Sequence, residues 1–483
     1  MTLMCQFDSR RVHHPSLCGA SAGEPKGSGP DRQSRPNRAA LPFGPHLLIS
    51  PRMNLVVVGC GYVGLANALG FAKLGHRVAC VDADAGKVAK LDVGRMPFFE
   101  PGMPELLRSM QEAGRVVFTG DLGSVINGAE AALLCVGTPP SEDGAPDLSF
   151  VHAAADDIAK HLSHPLLLIV KSTVPCGTAA ALRERFERAG KGDLVRLASV
   201  PEFLREGQAL KDFFQPDRVV IGSDDGETRA LVDSLHAGIE APRLIMSHES
   251  AELAKYAANA FLATKVSFIN EMANLCERTG ADVRDVEDVL GSDPRIGADF
   301  LRPGIGYGGS CFPKDVGALH RMAGANGYDF RLLSAAIDVN NRQRERFVER
   351  LERTLGGVKG RRLAVWGLAF KGGTGDARAS AAVDVVRALH GRGAEIVAYD
   401  PQATSAAADA LPDGIIMAPT AVDACDGAEA LVVLTDWAEF RDVSFDAVRE
   451  RLLGPCVFDG RNLLADLGLP KKGFTYYGVG IQA

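Results

Sequence analysis

The chain has 483 residues, of which 46% are hydrophobic and 23% charged, and its formal net charge is −7 at pH 7. This length predicts about three domains of a globular protein, and the acidic balance argues against a nucleic-acid partner. No apolar run approaches the roughly 18 residues of a membrane span, and the ten cysteines include no C-x-x-C pair that would suggest zinc or a disulfide framework. We therefore expect a cytoplasmic protein without metal, membrane or nucleic-acid partners.

The first 52 residues are rich in Pro, Ser, Gly and Arg and show no apolar periodicity. Such a segment cannot bury enough surface to offset the entropy of ordering, so residues 1–52 are predicted to be a disordered extension. Met53, which directly precedes a strand-like run, is then the expected natural start. A targeting peptide is the alternative, although no apolar h-region supports it.

A strand over Leu55–Val58 leads into the pattern G-x-G-x-x-G, a helical pattern, and a second strand that ends at Asp82. This order is typical of dinucleotide binding, because Gly59 makes the turn, Gly61 admits the pyrophosphate and Gly64 lets helix and strand pack closely. Asp82 would take the ribose hydroxyls and repel a 2′-phosphate. The pattern therefore predicts NAD rather than NADP as the cofactor.

Further strands are predicted along the first half of the chain, and several are continuous apolar runs of the kind found in parallel sheets. They lie at 116–118, 131–136, 166–170, 197–200 and 218–221. Because ligands bind at the carboxyl ends of such strands, the polar residues that follow them are pocket candidates. These are Thr138, Thr173, Glu202 and Glu206, each of which alone could be an ordinary turn or cap residue.

One long helix is predicted over Glu249–Thr279, and it places Lys255 and Asn259 on one face at i and i+4. A helix of this length often bridges domains or packs against a partner. The simpler reading of Lys255 is a solvated lysine. Shorter helical segments are predicted at 282–290 and 332–355.

The segment Gly306–Asp315 reads Gly-Tyr-Gly-Gly-Ser-Cys-Phe-Pro-Lys-Asp. Glycines allow a close approach of backbone and ligand, and Pro313 suits the first turn of a helix. Cys311 would thus lie at a helix start beside Lys314, and both features favour its thiolate. The alternative is a buried structural cysteine.

The strand–turn–helix rhythm restarts at Arg362, with strands predicted at 362–366, 396–399, 430–434 and 457–459. This unit lacks the dinucleotide fingerprint, but Lys371, Arg378 and Arg461 follow its strands and could hold phosphates or sugar hydroxyls. The fold class is predicted to be α/β, with two Rossmann-like, doubly wound parallel-sheet domains joined by a long central helix. The expected domains are residues 53–248, 249–345 and 346–483.

Together these motifs resemble the UDP-glucose/GDP-mannose dehydrogenases, the nucleotide-sugar dehydrogenase family, over nearly everything from Met53 to about Gly480. The resemblance rests on six segments in the family's order, 59–64, 136–139, 172–175, 201–207, 252–259 and 306–315. The cysteine segment is the most specific and is similar to the branch acting on UDP-glucose more than to the branch acting on UDP-N-acetylmannosamine. A departure at Gly372 and Ala381, where the family suggests Pro or Lys and then Pro, predicts a looser loop.

The resemblance implies that the C6 alcohol of a nucleotide sugar is oxidised to a carboxylate with two NAD⁺, so UDP-glucose would give UDP-glucuronate. The intermediate aldehyde would be captured by Cys311 as a thiohemiacetal, oxidised to a thioester and hydrolysed by water. The alternatives are GDP-mannose as substrate, a two-electron 3-hydroxyacid dehydrogenase, and an NAD-binding scaffold without turnover.

The resemblance also implies residue roles. Lys255 and Asn259 would stabilise the oxyanion, Glu202 would act as acid or base, and Asp315 would either hold Lys255 or position the hydrolytic water. Thr173 would contact the water or cofactor. Cofactor contacts are expected from Gly59, Gly61, Tyr62, Val63, Gly64, Asp82, Lys87, Thr138, Thr173, Glu206, Lys314 and Arg378. Substrate contacts are expected from Glu202, Phe203, Leu204, Lys255, Asn259, Arg295, Phe300, Tyr307, Gly308, Lys371 and Arg461.

The family pairs through its long central helix, so the resemblance implies a homodimer as the minimal unit. Arg295 would then reach the substrate phosphate of the neighbouring subunit.

Overall fold

The structure is a computed structural model that describes residues 52–142 and 144–481. Apart from Arg52, the extension predicted over residues 1–52 lies outside the described residues. Met53 is buried and directly precedes the first strand. Within the described residues, two β-sheets flank a group of long helices.

The first sheet contains eight strands of the described chain in the order β3-β2-β1-β4-β5-β6-β7-β8. Its strands are β1 Asn54–Val58, β2 Arg77–Val81, β3 Val116–Thr119, β4 Ala131–Leu134, β5 Leu166–Val170, β6 Val195–Ser199, β7 Val219–Gly222 and β8 Arg243–Met246. All neighbours pair in parallel except β6 and β7, which meet through one antiparallel pair, Ser199 with Gly222. The strand order reverses between β1 and β4, which creates the crevice where ligands bind in such sheets.

Helices cover both faces of this sheet. They are α1 Tyr62–Lys73, α2 Ala85–Asp92, α3 Met103–Glu112, α4 Gly123–Ile126, α5 Ser149–His161, α6 Thr178–Arg188, α7 Ala209–Phe214 and α8 Gly226–Leu235. Val57 of β1 packs into the core on one face, whereas Val56 and Val58 pack into the core on the other. This alternation explains the continuous apolar runs of the central strands, because both sides of each strand are buried.

The long helix α9, His248–Thr279, leads the central group, followed by α10 Val283–Ser292, α11 Phe312–Ala325 and α12 Arg331–Leu355. Ser247 caps α9 by accepting a hydrogen bond from the backbone N–H of Ser250, and Gly280 ends the helix in a left-handed conformation. With 32 residues, α9 is about 48 Å long. One face of α9 packs on α11 and α12 through Tyr256 and Ala263, both fully buried.

The second sheet contains six parallel strands of the described chain in the order β11-β10-β9-β12-β13-β14. Its elements are β9 Arg362–Trp366, α13 Ala381–Gly391, β10 Glu395–Tyr399, α14 Thr404–Ala407, β11 Ile416–Met417, α15 Ala421–Ala424, β12 Ala430–Val433, α16 Phe445–Arg451, β13 Cys456–Asp459 and β14 Thr475–Gly478. The predicted fold class, two parallel-sheet α/β units joined by a long central helix, is confirmed.

Three strands of the described chain were not predicted from the sequence. They are β8, β11 and β14, and each lies at an edge of its sheet. An edge strand needs apolar residues on fewer sides, so it lacks the apolar run that marks a central strand. In β8, for example, Leu244 and Ile245 are exposed. The expected domain boundaries remain predictions, and the one between residues 345 and 346 falls inside α12.

None of the helices in the described part of the chain combines the length and the hydropathy needed to cross a bilayer.

Candidate functional site

The glycine-rich turn between β1 and α1 has the geometry that a pyrophosphate requires. Gly59 adopts φ +100°, and a Cβ on Gly64 would lie 1.8 Å from the carbonyl oxygen of Gly59. At Gly61 a Cβ would meet nothing within 4 Å, and this N-cap position offers no side chain to the first N–H groups of α1. These unsatisfied donors and the open space fit a dinucleotide phosphate.

Asp82 lies at the end of β2, next to this turn. It accepts a hydrogen bond from the backbone N–H of Cys60 at 2.7 Å and pairs with Lys87 at 2.8 Å. Burial opposes ionisation of Asp82, but the hydrogen bonds from Lys87, Asp84 and Cys60 outweigh it and lower the pKa of its carboxyl below the usual range. The carboxylate is therefore charged and pre-positioned where a ribose would lie.

Tyr62 and Val63, two other predicted cofactor residues, open helix α1. The Tyr62 hydroxyl lies within hydrogen-bond distance of two acceptors that share its single proton, the Glu100 carboxylate at 2.9 Å and the carbonyl of Arg205 at 2.8 Å. Glu100 also accepts from the backbone N–H groups of Gly207 and Ala209. Tyr62 thus ties the dinucleotide turn to the segment after β6, and Glu100, which sequence reasoning missed, anchors that segment.

Two further predicted residues join the carboxyl ends of neighbouring strands. The hydroxyl of Thr138, after β4, donates to the carbonyl of Thr173, after β5, at 2.8 Å. Lys314 Nζ lies 3.5 Å from the same hydroxyl. The structure thus places this pair between the first sheet and the start of α11.

The catalytic candidates converge where α9 passes the start of α11. Cys311 is the N-cap of α11 and its side chain is exposed. Lys255 pairs with Glu202 at 3.2 Å, and Asn259 donates to Asp315 at 2.6 Å. All four of these polar side chains are buried. Three parts of the chain that are distant in sequence, the segment after β6, α9 and the start of α11, therefore bring a thiol, an ammonium, an amide and two carboxylates together.

Asp315 does not hold Lys255 directly, contrary to one of the two roles considered for it. Its carboxylate is 1% exposed and lies 2.5 Å from Lys314 and 2.6 Å from Asn259. Lys255 instead pairs with Glu202. Asp315 therefore fixes the amide of Asn259, and Glu202 fixes the ammonium of Lys255.

The prediction that the surroundings favour the thiolate of Cys311 is wrong for this arrangement. Desolvation, and after it the negative charge of Glu202, raise the pKa of the Cys311 thiol to about 11, although Lys255 opposes them. The ammonium of Lys314 is directed to Asp315 rather than to the sulfur. At neutral pH the thiol form is therefore dominant.

The ammonium of Lys255 is held in its charged form. Burial alone would lower the pKa of Lys255, but the neighbouring acidic groups, Glu202 first and then Cys311 and Asp315, outweigh burial and raise that pKa. Among these groups Glu202 makes the largest contribution.

The segment that follows Glu202 forms one wall of the same cleft. The backbone N–H of Leu204 donates to Glu202 at 2.5 Å. The Phe203 ring lies 3.9 Å from the guanidinium of Arg218 and 5.2 Å from Lys255 Nζ, as ring-centroid distances. These contacts place two cations against one aromatic ring.

A second group of predicted residues gathers around Glu206. Its carboxylate accepts from Ser310 at 3.1 Å and from Thr374 at 3.2 Å, and Arg378 lies 3.9 Å away while pairing with Asp376. Burial and then the nearby Asp376 raise the pKa of Glu206.

Lys371 lies near this group. Burial lowers the pKa of Lys371, although Glu206, Asp436 and Glu100 oppose the shift. A phosphate would relieve this penalty by supplying a negative charge.

The guanidinium of Arg461 makes its hydrogen bonds within the protein. Its guanidinium donates to the carbonyls of Leu434, Gly306 and Phe370, at 3.0, 3.1 and 3.1 Å. It thereby joins the end of β12, the cysteine segment and the loop after β9. We call Arg461 and these three carbonyl contacts the bracket. The sequence did not predict it, because the three carbonyls are far from Arg461 along the chain.

The glycines of the cysteine segment approach protein rather than open space. A Cβ on Gly308 would lie 2.3 Å from the carbonyl oxygen of Ala379, and one on Gly309 would lie 2.8 Å from the ring of Phe370. Asn340 of α12 holds the segment from the other side, through the N–H and C=O of Tyr307. Close packing of the segment against its neighbours therefore accounts for these two glycines, and the expected approach to a ligand stays a prediction.

Three aromatic rings flank the start of α11. Phe300, which adopts φ +63°, and the buried Tyr307 each place their ring centroid 5.9 Å from that of Phe312. Arg295 is not brought to this cleft within one chain, since its side chain is 87% exposed and pairs with Asp293. The role expected for Arg295 in a neighbouring subunit stays a prediction.

The departure noted at Gly372 and Ala381 has a structural setting. A Cβ on Gly372 would lie 2.4 Å from the carbonyl oxygen of Asp436, so this chain's backbone passes too close there for a side chain. Ala381 is fully buried at the first position of α13. Arg461 contacts the chain just before Gly372, at the carbonyl of Phe370.

Three domain models of one family match consecutive parts of the chain. They are described as the UDP-glucose/GDP-mannose dehydrogenase family's NAD binding domain, central domain and UDP binding domain, and they match residues 53–240, 249–342 and 364–466.

Relatives of known name cover most of the chain. A UDP-glucose 6-dehydrogenase of Pseudomonas aeruginosa is 44% identical over 441 residues, which is 89% of this chain and 97% of that protein. One of Bacillus subtilis is 42% identical over 430 residues, 89% of this chain and 93% of that protein. A solved UDP-glucose dehydrogenase from the archaeon Pyrobaculum islandicum superposes with a TM-score of 0.84 at 37% identity, covering 91% of this chain and all of that one.

A UDP-D-ManNAc dehydrogenase from Pyrococcus horikoshii has the same fold, with a TM-score of 0.78, 26% identity and coverage of 89% of this chain and 99% of that one. The range matched by the NAD binding domain model contains the glycine-rich turn and Asp82. The chain belongs to the UDP-glucose/GDP-mannose dehydrogenase family, and it is an enzyme with NAD as its cofactor and a nucleotide sugar as its substrate.

Proposed function

We propose that the enzyme oxidises the C6 alcohol of UDP-glucose to the carboxylate of UDP-glucuronate through a covalent Cys311 intermediate. The observation that carries this proposal is an accessible thiol at the start of α11, beside the buried Lys255–Glu202 pair. A dehydrogenase that stopped at the aldehyde would not need such a thiol. Overall, one sugar alcohol, one water and two NAD⁺ give one carboxylate, two NADH and three protons.

NAD supplies the hydride acceptor for both oxidations, held at the turn Gly59–Gly64 and by Asp82. The remaining chemistry falls to the chain's own groups. In the first oxidation, Glu202 accepts the proton of the C6 hydroxyl, while the charged Lys255 stabilises the developing oxyanion. The 3.2 Å separation of these two side chains lets them act on the same oxygen.

Cys311 then adds to the aldehyde carbon. Once Glu202 has released the first proton to solvent, the C–S bond forms as the S–H proton passes to Glu202. The carbonyl oxygen, stabilised by Lys255 and Asn259, then takes this proton back from Glu202 and becomes a hydroxyl. Asp315 keeps Asn259 oriented for this contact. The thiohemiacetal loses its hydroxyl proton again in the second oxidation, which leaves a thioester on Cys311.

Water hydrolyses the thioester, and the sulfur leaves as the thiol. Thr173, at the end of β5, is proposed to position this water, and Thr138 holds Thr173 through its carbonyl. The remaining candidates, Phe203, Leu204, Phe300, Tyr307, Gly308, Lys371 and Arg461, are proposed to line the sugar-nucleotide path. Lys87, Glu206, Lys314 and Arg378 are proposed to border the cofactor.

UDP-glucose is preferred over GDP-mannose because the relatives named UDP-glucose 6-dehydrogenase align over nearly their full length. The protein is proposed to act in the cytoplasm, which agrees with the free cysteines of the described residues.

A homodimer is proposed as the minimal unit. Support comes from an exposed apolar stripe on α9, defined by Leu253, Phe261, Phe268 and Leu275. Their spacing of seven or eight residues puts these side chains on one face of the helix, and an exposed patch of this kind marks an interface.

The first test is the number of NADH molecules released per molecule of limiting UDP-glucose. We expect two for the wild type, and at most one for Cys311→Ser, because the hydroxyl is a much weaker nucleophile than sulfur. Cys176→Ser removes another exposed thiol and serves as the control that keeps two.

A wild type that releases one NADH per sugar would show an alcohol dehydrogenase and contradict the role of Cys311. Two NADH from GDP-mannose and none from UDP-glucose would keep the mechanism and change the substrate. No turnover with any nucleotide sugar would instead favour the scaffold.

A further inference from the structure

A cavity of about 220 Å³ shares Glu202 with the catalytic cluster. Its wall includes the segment after β6, the end of β5 and residues of α1 and α7, but neither Cys311 nor Lys255. Asn67, Lys171, His236 and Arg218 are among the side chains that line it. The cavity is large enough for several water molecules and polar enough to hold them.

Lys171 is the unusual member of this wall. It directly follows β5, is 7% exposed, and makes no hydrogen bond or ion pair through Nζ with any other residue of the described chain. The charged or titratable groups that face it are Cys135, Glu202, Lys255 and His236. Burial lowers the pKa of the Lys171 ammonium, and the negative groups oppose that shift.

A buried ammonium without a direct partner lowers the stability of a fold. Methionine would fill a similar volume without this cost. Lys171 is therefore not explained by packing, and a perturbed group beside a reactive cluster is a candidate for function.

Glu202 is the acidic group that Lys171 can serve. One oxygen of Glu202 pairs with Lys255 and the other accepts from Leu204 N–H. The other titratable groups that face Glu202 are Cys311, Cys135 and Tyr62. In the proposed mechanism Lys255 must also serve the substrate oxygen. During turnover Glu202 therefore shares the one cation with which it forms an ion pair in the described part of the chain.

We propose that Lys171 is a positioning residue for Glu202, a second cation that acts through cavity water to hold the carboxylate in place and charged while Lys255 serves the substrate. This role rests on the proposed function of Glu202 as the proton acceptor. In this proposal, water between Lys171 and Glu202 also carries the proton that Glu202 accepts from the substrate out of the cavity to solvent.

The test compares Lys171→Met with wild type in turnover of UDP-glucose with NAD. We expect kcat to fall at least tenfold with KM for both substrates within about twofold, since Lys171 contacts neither. The acid limb of the kcat profile should move up by about one pH unit, because the carboxylate loses a cation and is protonated more easily. The melting temperature should stay equal or rise.

Two controls sharpen this test. Lys211→Met removes an exposed lysine from the same cavity wall and should leave the pH profile unchanged. Glu202→Gln should abolish the acid limb, and Lys171→Met should then have little further effect, because the two residues act as one unit. Lys171→Arg should restore part of the rate.

Wild-type kcat and an unmoved acid limb in Lys171→Met would overturn the proposal. So would a lower melting temperature or failure to fold in both Lys171→Met and Lys171→Gln, because either result would make Lys171 a structural residue. A wild type that releases only one NADH per sugar would contradict the proposed function but not the proposal for Lys171. The acid limb of the kcat profile for that single oxidation would still test whether Lys171 acts on Glu202.

Discussion

Cys311 combines an accessible sulfur with surroundings that disfavour its negative charge. Desolvation and the charge of Glu202 raise the pKa of its thiol to about 11, so only about one thiol in a thousand is ionised at pH 8. A protonated sulfur reacts slowly with alkylating agents and oxidants while no substrate is bound. It becomes a nucleophile when an aldehyde lies against it and Glu202 can take the proton.

This protonation state can be checked by alkylation of the ligand-free enzyme with iodoacetamide, followed peptide by peptide. Modification of Cys311 should accelerate by roughly 100-fold from pH 8 to pH 10, because the thiolate fraction follows pH below the pKa. Glu202→Gln should accelerate it several-fold at pH 8, since it removes a repelling charge. Cys176, exposed and away from Glu202, serves as the reference in the same digest.

A rate at Cys311 that levels off below pH 9 would show that the thiolate is already formed. In that case the expectation drawn from the helix start and from Lys314 would be right after all. An unchanged rate in Glu202→Gln would remove Glu202 as the source of the shift.

At the scale of single elements, α9, the central strands and the edge strand β3 could be predicted, and the edge strands β8, β11 and β14 could not. The helix was expected at 249–279 and is observed at His248–Thr279, because its cap residues and apolar periodicity are local properties. β8, β11 and β14 depend on a neighbouring strand for their hydrogen bonds and carry little apolar pattern of their own. The apolar pattern of a single segment is therefore enough to predict a central strand. These three edge strands are recognised only once the neighbouring strand is known.

The α9 stripe makes a prediction about assembly. Phe261 is 67% exposed and lies near the middle of the stripe, so Phe261→Asp should place a charge in the dimer interface and yield a monomer. Sedimentation equilibrium measures this directly, because one chain has a mass of 51.2 kDa. Phe150→Asp, on α5 and 54% exposed, should leave the mass unchanged. A wild type with the mass of one chain would rule out the proposed interface.

Across the whole molecule, the candidate site is assembled from parts that the sequence keeps far apart. The motifs predicted which residues meet, namely Cys311, Lys255, Asn259, Asp315 and Glu202. The motifs did not show which contacts keep these residues in position. Arg461, which makes such contacts, is 155 residues from Gly306 and 91 from Phe370. Lys171 escaped for the same reason, since its cavity forms only when the first sheet and its helices pack.

Arg461→Met should weaken catalysis much more than cofactor binding. The change leaves three carbonyls without their donor, at about 1–3 kcal/mol for each that stays buried, and removes one of the contacts that attach the cysteine segment to the second sheet. We expect kcat for UDP-glucose to fall more than tenfold, with the Kd of NAD within twofold because the turn Gly59–Gly64 is untouched. Arg441→Met, which removes a pair with the exposed Asp466, is the matched control.

Equal losses in NAD affinity and kcat would indicate general unfolding rather than a displaced cysteine segment. Circular dichroism melts of both variants separate these outcomes. Wild-type activity in Arg461→Met would show that the bracket is dispensable.

The bracket also limits how members of this family could exchange parts. The N–H of Ile305 donates to the carbonyl of Gly460 at 3.0 Å, next to the contact of Arg461 with Gly306. A chimaera joined within α12 would take the cysteine segment from one parent and the residues that grip it from the other. We therefore expect a chimaera within this family to keep the cysteine segment in place only when residues 300–311 and 455–465 come from the same parent.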